Sequence, residues 1–593
     1  MIQADPDTRW ILLRTKRKAF QVMLGCLILL GTGCVMEPKI APIPSLQQIL
    51  TRKYIMTWET PSNVPTTCPT EDSKSALAQA RMARLFCSPT ASAYYRDALT
   101  YSLYALNSPA SCSACAHEPS TLIKLHNESL EGLLLATGFG IGQDARLATK
   151  KLEKLGFQIS CSDGFMNEFE PDELWPANGF MTIEVKDPAR EKGLGLPLIV
   201  YRKPRPRDGI VPEMFFPPHW KFAATAVARL VKSDDGQGVV PVIELIDPLE
   251  TDHVRVGDLK IPLAKDFTTP VISLLSHSGY RNKAIQGLMW PSSLTNEEGV
   301  TLVHPYRPGR IPLVLIHGLG CSPRIMADIA NSVHADPVLR QRYQVMIVYY
   351  TTGDTILQDA AVIRRAFHSM RSHYDPSHTD TAWDNTVVLG HSLGGPIARL
   401  LTSHSDQKIE QTLFTRSWDE LVMRETIRQA SEPAIFFEPV SEINRVIYLT
   451  ATMRGSRIAD QVEARALSAV LPRRKLLELF HTEIIENNGI DAFQPEYRNR
   501  VPSSIDNQSP ESPILAVTNN LRLKDGLNSH SIQANLTPML PRQLSTDGLV
   551  PFKSSLIDEA VSQVVLPVQD HFCTHDRRTL NEIARILNEN RAE

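Results

Sequence analysis

A chain of 593 residues is too long for one hydrophobic core and implies about two to four domains. The formal net charge of -3 and the lack of a basic stripe with interleaved aromatics argue against a nucleic-acid partner. The apolar content of 42% is that of an ordinary globular protein.

The first predicted element is a leader, residues 1–33. Arg14, Lys16, Arg17 and Lys18 form a basic region, Phe20 to Leu30 an apolar stretch short for a membrane span, and Gly31-Thr32-Gly33-Cys34 follows. Small residues directly before a cysteine resemble a bacterial lipobox, with Cys34 as the lipidated N-terminus. Val35, rather than aspartate, follows the cysteine, which resembles the outer-membrane sorting pattern of such lipoproteins. The expectation is therefore a lipoprotein of the bacterial cell envelope, held at the outer membrane by acyl chains on Cys34.

Residues 34–73 are rich in Pro, Thr and Ser and read as a linker. Residues 74–156 read as a helical module, with helices at Ala76–Leu85, Tyr94–Leu106 and Leu122–Ala136. They lack a clean repeat period and are expected to form a plain helical cap. Residues 157–268 read as a β-rich segment. Its strands are Phe180–Val185, Leu196–Tyr201, Ala223–Val231 and Val239–Ile246, some of which could extend the sheet that follows. From 269 to 593, strands alternate with helices, which predicts a mostly parallel sheet with helices on both faces. An insertion, 453–529, carries helices at Glu463–Leu471 and Arg474–Ile484 and stands where a cap or lid would lie.

Export permits disulfides. Of nine cysteines, Cys26 and Cys34 belong to the leader, which leaves an odd seven. Cys112-Ser113-Ala114-Cys115 lacks the further ligands of a zinc site, and no metal is expected. Cys321 and Cys573 both fall near the motifs described next, and a bond between them is a minor possibility because bond geometry is strict.

Three motifs in this last region carry chemistry. Gly390-His391-Ser392-Leu393-Gly394 lies between the apolar run Thr386–Leu389 and a helix-like run from Gly395. A glycine-flanked serine between strand and helix has its hydroxyl exposed at the end of a sheet, near a helix N-terminus. Upstream, the buried strand Ile311–Ile316 runs into His317-Gly318-Leu319-Gly320. Downstream, Asp547 sits in the turn Ser545-Thr546-Asp547-Gly548. A helix-like stretch (Ser554–Ser562) and a strand-like run (Val564–Val568) then lead to His571. The order Ser, Asp, His resembles that of the α/β-hydrolases, and the resemblance implies Ser392 as nucleophile, His571 as base and Asp547 as its orienter, with the N–H groups of Leu319 and Leu393 as the oxyanion hole. His575 and His530 are alternative bases. Asp570 is too near His571 in the chain to orient it, and His317 reads as structural.

These residues resemble the α/β-hydrolase superfamily of serine esterases and lipases, over about residues 290–590. More narrowly, Pro305-Tyr306-Arg307-Pro308-Gly309-Arg310 and Tyr349-Tyr350-Thr351-Thr352-Gly353-Asp354 are similar to bacterial α/β-hydrolase lipoproteins with an N-terminal extension. The resemblance implies an α/β-hydrolase fold and hydrolysis of hydrophobic acyl esters through an acyl-Ser392 intermediate, with no cofactor. Acyl transfer to an alcohol from the same acyl-enzyme, and an inactive lipidated scaffold, are the two rival readings.

Overall fold

The computed structural model describes residues 39–42 and 69–590 apart from internal segments, the longest being 108–118, 204–214 and 233–238. The leader with Cys34, most of the linker, and Cys112 and Cys115 lie outside the described residues. Among the described residues, no helix is long and apolar enough to cross a membrane.

Helices α1 (Pro69–Leu85), α2 (Ala91–Asn107), α3 (Pro119–Thr137) and α4 (Ala145–Lys154) open the fold. Helix α1 begins with Glu71 and Asp72 and ends with Arg84, charges that complement its dipole. Helices α2 and α3 approach closely at Gly132, where a Cβ would lie 2.0 Å from the Tyr95 ring.

A five-stranded sheet lies against these helices: β1 (Gln158–Cys161), β2 (Glu173–Pro176), β3 (Leu196–Tyr201), β4 (Lys221–Lys232) and β5 (Val239–Ile246), in the order β1-β5-β4-β3-β2. Asn127 on α3 stitches helix to sheet. Its amide donates to Gly193 O (2.9 Å), and its oxygen accepts from Gly195 N–H (2.7 Å). None of the expected strands extends the following sheet; the pairing is entirely within this one and a short strand pair that includes Phe180–Ile183.

The second sheet has seven strands: β6 (Gly299–Leu302), β7 (Ile311–Ile316), β8 (Tyr343–Tyr349), β9 (Thr386–His391), β10 (Ile443–Leu449), β11 (Asn528–Ala534) and β12 (Ser562–Leu566). Their order is β6-β8-β7-β9-β10-β11-β12. Strand β6, unremarked in the sequence, pairs antiparallel with β8, and every other pairing is parallel. Strands β7 and β9 are buried along their whole length, as central parallel strands should be. Helices α5 (Thr268–Leu275), α6 (Ala327–Ala335), α7 (Ile356–Tyr374), α8 (Gly394–Leu401), α9 (Glu425–Ile435), α10 (Lys475–Asn488) and α11 (Arg577–Glu589) complete the framework. Helix α6 packs with α11, and α7 with α8 and α9, so both faces are covered. With the strand–turn–helix after β9, this is the α/β-hydrolase fold. The expected helix over Ser554–Ser562 is instead a 3-10 turn, Phe552–Ser555, and a loop. The stretch Glu463–Leu471 falls largely on residues outside those described.

The two halves share one core. Trp220, fully buried immediately before β4, donates from Nε1 to Val303 O (3.2 Å). Lys221 Nζ donates to Ser273 O (3.1 Å). Arg307 Nε donates to Asp247 (2.9 Å), and Arg310 reaches Leu249 O (3.0 Å) and Glu250 (2.6 Å).

A buried ionic cluster fixes the insertion to the sheet. Arg474, at the N-terminal end of α10, forms two bonds to Glu298 (2.6 and 2.8 Å) and one to Asp354. Burial pushes Asp354 up to about 6, with Arg474 pulling it down and Glu298 pushing it up. Asp359 is held well above the carboxylate range by burial, and both of its oxygens lack a partner. Folding therefore raises the Asp354 pKa from 3.8. That group's share of stability is full below pH 3.8 and is lost as pH rises through about 6. Arg474→Met strands the carboxylates, and a loss of about 3–5 kcal/mol is expected at pH 8. The loss should be smaller at pH 5, where protonation of Asp354 replaces the missing cation. Urea unfolding of wild type and variant at the two pH values measures both.

Candidate active site

The strand order reverses between β7 and β9: after β7 the chain moves outward to β8, then returns to lay down β9 on the other side. A crevice forms at the carboxyl ends of strands at such a switch point. His317-Gly318-Leu319 leaves β7 on one side of it, and Ser392 follows β9 on the other.

Ser392 has φ of +55°, the strained conformation of a sharp strand-to-helix turn. Its N–H donates to Leu449 O (3.0 Å), and its carbonyl accepts from Gly395 N–H (3.0 Å) and Thr452 N–H (3.3 Å). The flanking glycines permit this closeness. A Cβ on Gly390 would lie 2.3 Å from Gly394 O, and one on Gly394 would lie 2.5 Å from Ile316 O. Opposite, a Cβ on Gly318 would lie 2.8 Å from Ser392 Cβ and 3.3 Å from its Oγ.

Asp547 and His571 meet: His571 Nδ1 is 2.6 Å from Asp547 Oδ2. The other oxygen, Oδ1, accepts from the N–H groups of Leu549 (2.9 Å) and Val550 (2.6 Å), so the turn after Asp547 holds its carboxylate in place. With Nδ1 committed to the carboxylate, the imidazole presents Nε2 to a proton donor. His391, beside the serine, ties the two parts together. Its Nε2 lies 3.2 Å from His571 O, and the rings are 5.1 Å apart. Burial, and then the charge of His571, push His391 down to about 3, so it stays neutral and donates from Nε2. Thr450, at φ of +45°, also donates to His571 O (3.4 Å). No Ser392 Oγ–His571 hydrogen bond is among those formed in this conformation, and such contacts commonly tighten only with substrate.

Leu393 is buried at the start of α8, and Leu319 is half-buried in the loop after β7. Among the described residues, neither backbone N–H donates to a backbone group in the turns, loops and caps. Leu319 packs on Leu288, Met289, Leu471 and Ile505, an apolar wall contributed partly by the insertion.

The alternative residues lie elsewhere or are occupied. His530 is on β11, bonded to Arg445 and to Ser562 Oγ (2.7 Å), and burial pushes it down to about 4. Asp570 accepts from Phe572 N–H (2.9 Å). His575 closes the turn Cys573–His575. His317 stacks on Tyr350, 4.5 Å between centroids, and burial holds it at about 4. Cys573 is a free thiol, pushed up to about 12 by burial, so it makes no bond to Cys321. The sequence reading missed His391 and Thr450. The first was in plain view inside the serine motif, but its role depends on where His571 O lands. Among the described residues, no group of three or more His, Cys, Asp or Glu side chains is placed to hold a metal ion.

No protein-family model matches the chain, and no curated protein sequence does. Solved structures similar to it include the lipase BlEst2 from Bacillus licheniformis in mature form (14% identity, 48% of this chain and 95% of that one, TM-score 0.26). Esterase B from Lactobacillus Rhamnosis is similar over 48% of this chain and 77% of its own (14% identity, TM-score 0.26). Phospholipase PlaB from Legionella pneumophila is similar over 47% of this chain and 63% of its own (12% identity, TM-score 0.26).

The contact across the crevice makes Gly318 testable. Gly318→Ala places a methyl against Ser392 and should slow labelling of Ser392 by a serine-reactive fluorophosphonate on the order of a hundred-fold by displacing the hydroxyl. Gly179→Ala, where an added Cβ meets nothing within 4 Å, serves as the control and should retain wild-type kinetics.

Proposed function

We propose that the protein is a serine hydrolase of carboxylic esters with hydrophobic acyl groups. The observation that carries the reading is the His571–Asp547 pair, tied through His391 to a serine on a positive-φ elbow. Ser392 Oγ attacks the acyl carbonyl, and His571 Nε2 takes its proton. The tetrahedral oxyanion is held by the N–H groups of Leu319 and Leu393. Collapse expels the alcohol, which receives the proton from His571 and leaves an acyl-Ser392. Water, deprotonated by the same imidazole, attacks that ester and releases the carboxylate and free enzyme. Asp547 fixes the tautomer and stabilises the imidazolium. The apolar wall at Leu319 supports a hydrophobic acyl group.

A fluorophosphonate probe should label wild type and leave Ser392→Ala unlabelled. Turnover of p-nitrophenyl esters by that variant should fall on the order of a million-fold. Asp547→Asn, which favours the wrong tautomer, should lose about ten thousand-fold. Equal labelling of wild type and Ser392→Ala would refute the assignment.

The leader motif supports a second part of the proposal, attachment to the outer membrane of a bacterial envelope through lipid on Cys34. Metabolic labelling with a palmitate analogue should mark the wild-type protein and not Cys34→Ala.

A further inference from the structure

A cavity of about 70 Å³ lies on the side of the second sheet that carries α7 and α9. Helix α7 contributes Leu357 and Gln358, α9 contributes Ser431, Ala434 and Ile435, and α10 of the insertion contributes Leu477, Phe480 and His481. None of Ser392, Leu319, Leu393, Asp547 and His571 lines it, so it is separate from the crevice.

Two features of the wall point to a ligand. Gln358 is 3% exposed and its Oε1 has no hydrogen-bond partner; Ser431 is 4% exposed and its Oγ has none. Buried polar atoms are rarely left so, and each one calls for an explanation. Tyr497 Oη, in the same wall, is also without a hydrogen-bond partner, while Thr355, Asn507 and His481 are engaged. Thr355 Oγ1 accepts from Gln358 N–H (3.2 Å), Asn507 Oδ1 accepts from Ile356 N–H (3.3 Å), and His481 Nε2 lies 2.8 Å from Tyr497 O. The remaining lining is chiefly aliphatic and aromatic, and it contains no carboxylate, ammonium or guanidinium group.

We propose that this cavity binds a small neutral alcohol. An amide oxygen only accepts, so the ligand must bring a donor; a serine hydroxyl can give or take. A single hydroxyl meets both needs, giving its hydrogen to Gln358 Oε1 and accepting one from Ser431 Oγ. The alkyl part lies among Leu357, Ala434, Ile435, Leu477 and Phe480. A charged head group is excluded by the cost of burial without a counter-charge. The volume is about half of the ~150 Å³ that takes benzene, which sets the alkyl part at roughly four carbons. This site does not depend on the ester-hydrolase reading.

Saturation-transfer NMR with 1-butanol on the full-length protein tests the proposal. Wild type should give a saturable signal. Ala434→Phe and Ser431→Leu, which fill the cavity, should abolish it. Gln358→Met keeps the volume and removes the acceptor. It should weaken 1-butanol roughly tenfold and leave 1-chlorobutane, which has no hydroxyl, unchanged. Should a filling variant fail to fold, judged by near-UV circular dichroism, the Gln358→Met comparison decides alone. No transfer in wild type, meaning that water alone serves the wall, would overturn the proposal. So would an equal effect of Gln358→Met on both probes, or a 1-butanol signal that survives in both folded filling variants.

Discussion

Everything at the candidate site depends on the close approach of backbone to backbone where β7, β9 and α8 converge. Gly390, Gly394 and Gly318 let the chain pass within contact distances that no side chain would allow. That compression turns Ser392 into a left-handed conformation and leaves the N–H groups of Leu393 and Leu319 outside the regular bonding pattern. Strain of this kind persists only where the surroundings over-determine it. Here the surroundings are two fully buried parallel strands and the carbonyl and N–H groups of Ser392 itself, each with partners in the next strand or helix.

The fold and the rim were unequally legible in the sequence. Strands β7 and β9 announced themselves because a central parallel strand is apolar throughout, and the serine motif because its glycines answer a local steric demand. Asp547 and His571 could be placed by chain order, since the motif-bearing loops must fall at one end of a parallel sheet. Strand β6 was not legible, because Gly299–Leu302 is short and pairs antiparallel at the sheet edge. The expected helix before β12 failed for a related reason. Ser554 and Ser555 are used locally, their hydroxyls bonding to Gly455 O (2.6 Å) and Ala451 O (2.9 Å), and this competes with helix formation. His391 shows the deeper limit: nothing in its own neighbourhood reveals a partner 180 residues further along.

The insertion is fixed by charge as well as by apolar packing, in which Phe480, Ile484, Phe493 and Ile514 join the main core. Arg474 answers Glu298 and Asp354 at once, and burial holds Asp359, close by, well above the ordinary carboxylate range. A buried arrangement with more acid than base is a poor source of stability, but it is directional. Arg474 has one place where its planar fork is satisfied, so the first residues of α10 are held in register beside the loop after β8. The apolar wall at Leu319 and the Gln358 cavity both take residues from this insertion.

The shared core between the two halves has a consequence for how the chain came to be and how it can be divided. Trp220 and Lys221 reach across from the first sheet, while Arg307 and Arg310 reach back from the second, so the boundary between them is not a seam that a protease or a shortened gene could follow cleanly. The second half released alone would present raw aromatic and apolar surface to water and would tend to clump. The long N-terminal extension is thus an inner wall of the α/β-hydrolase fold rather than an accessory hung upon it.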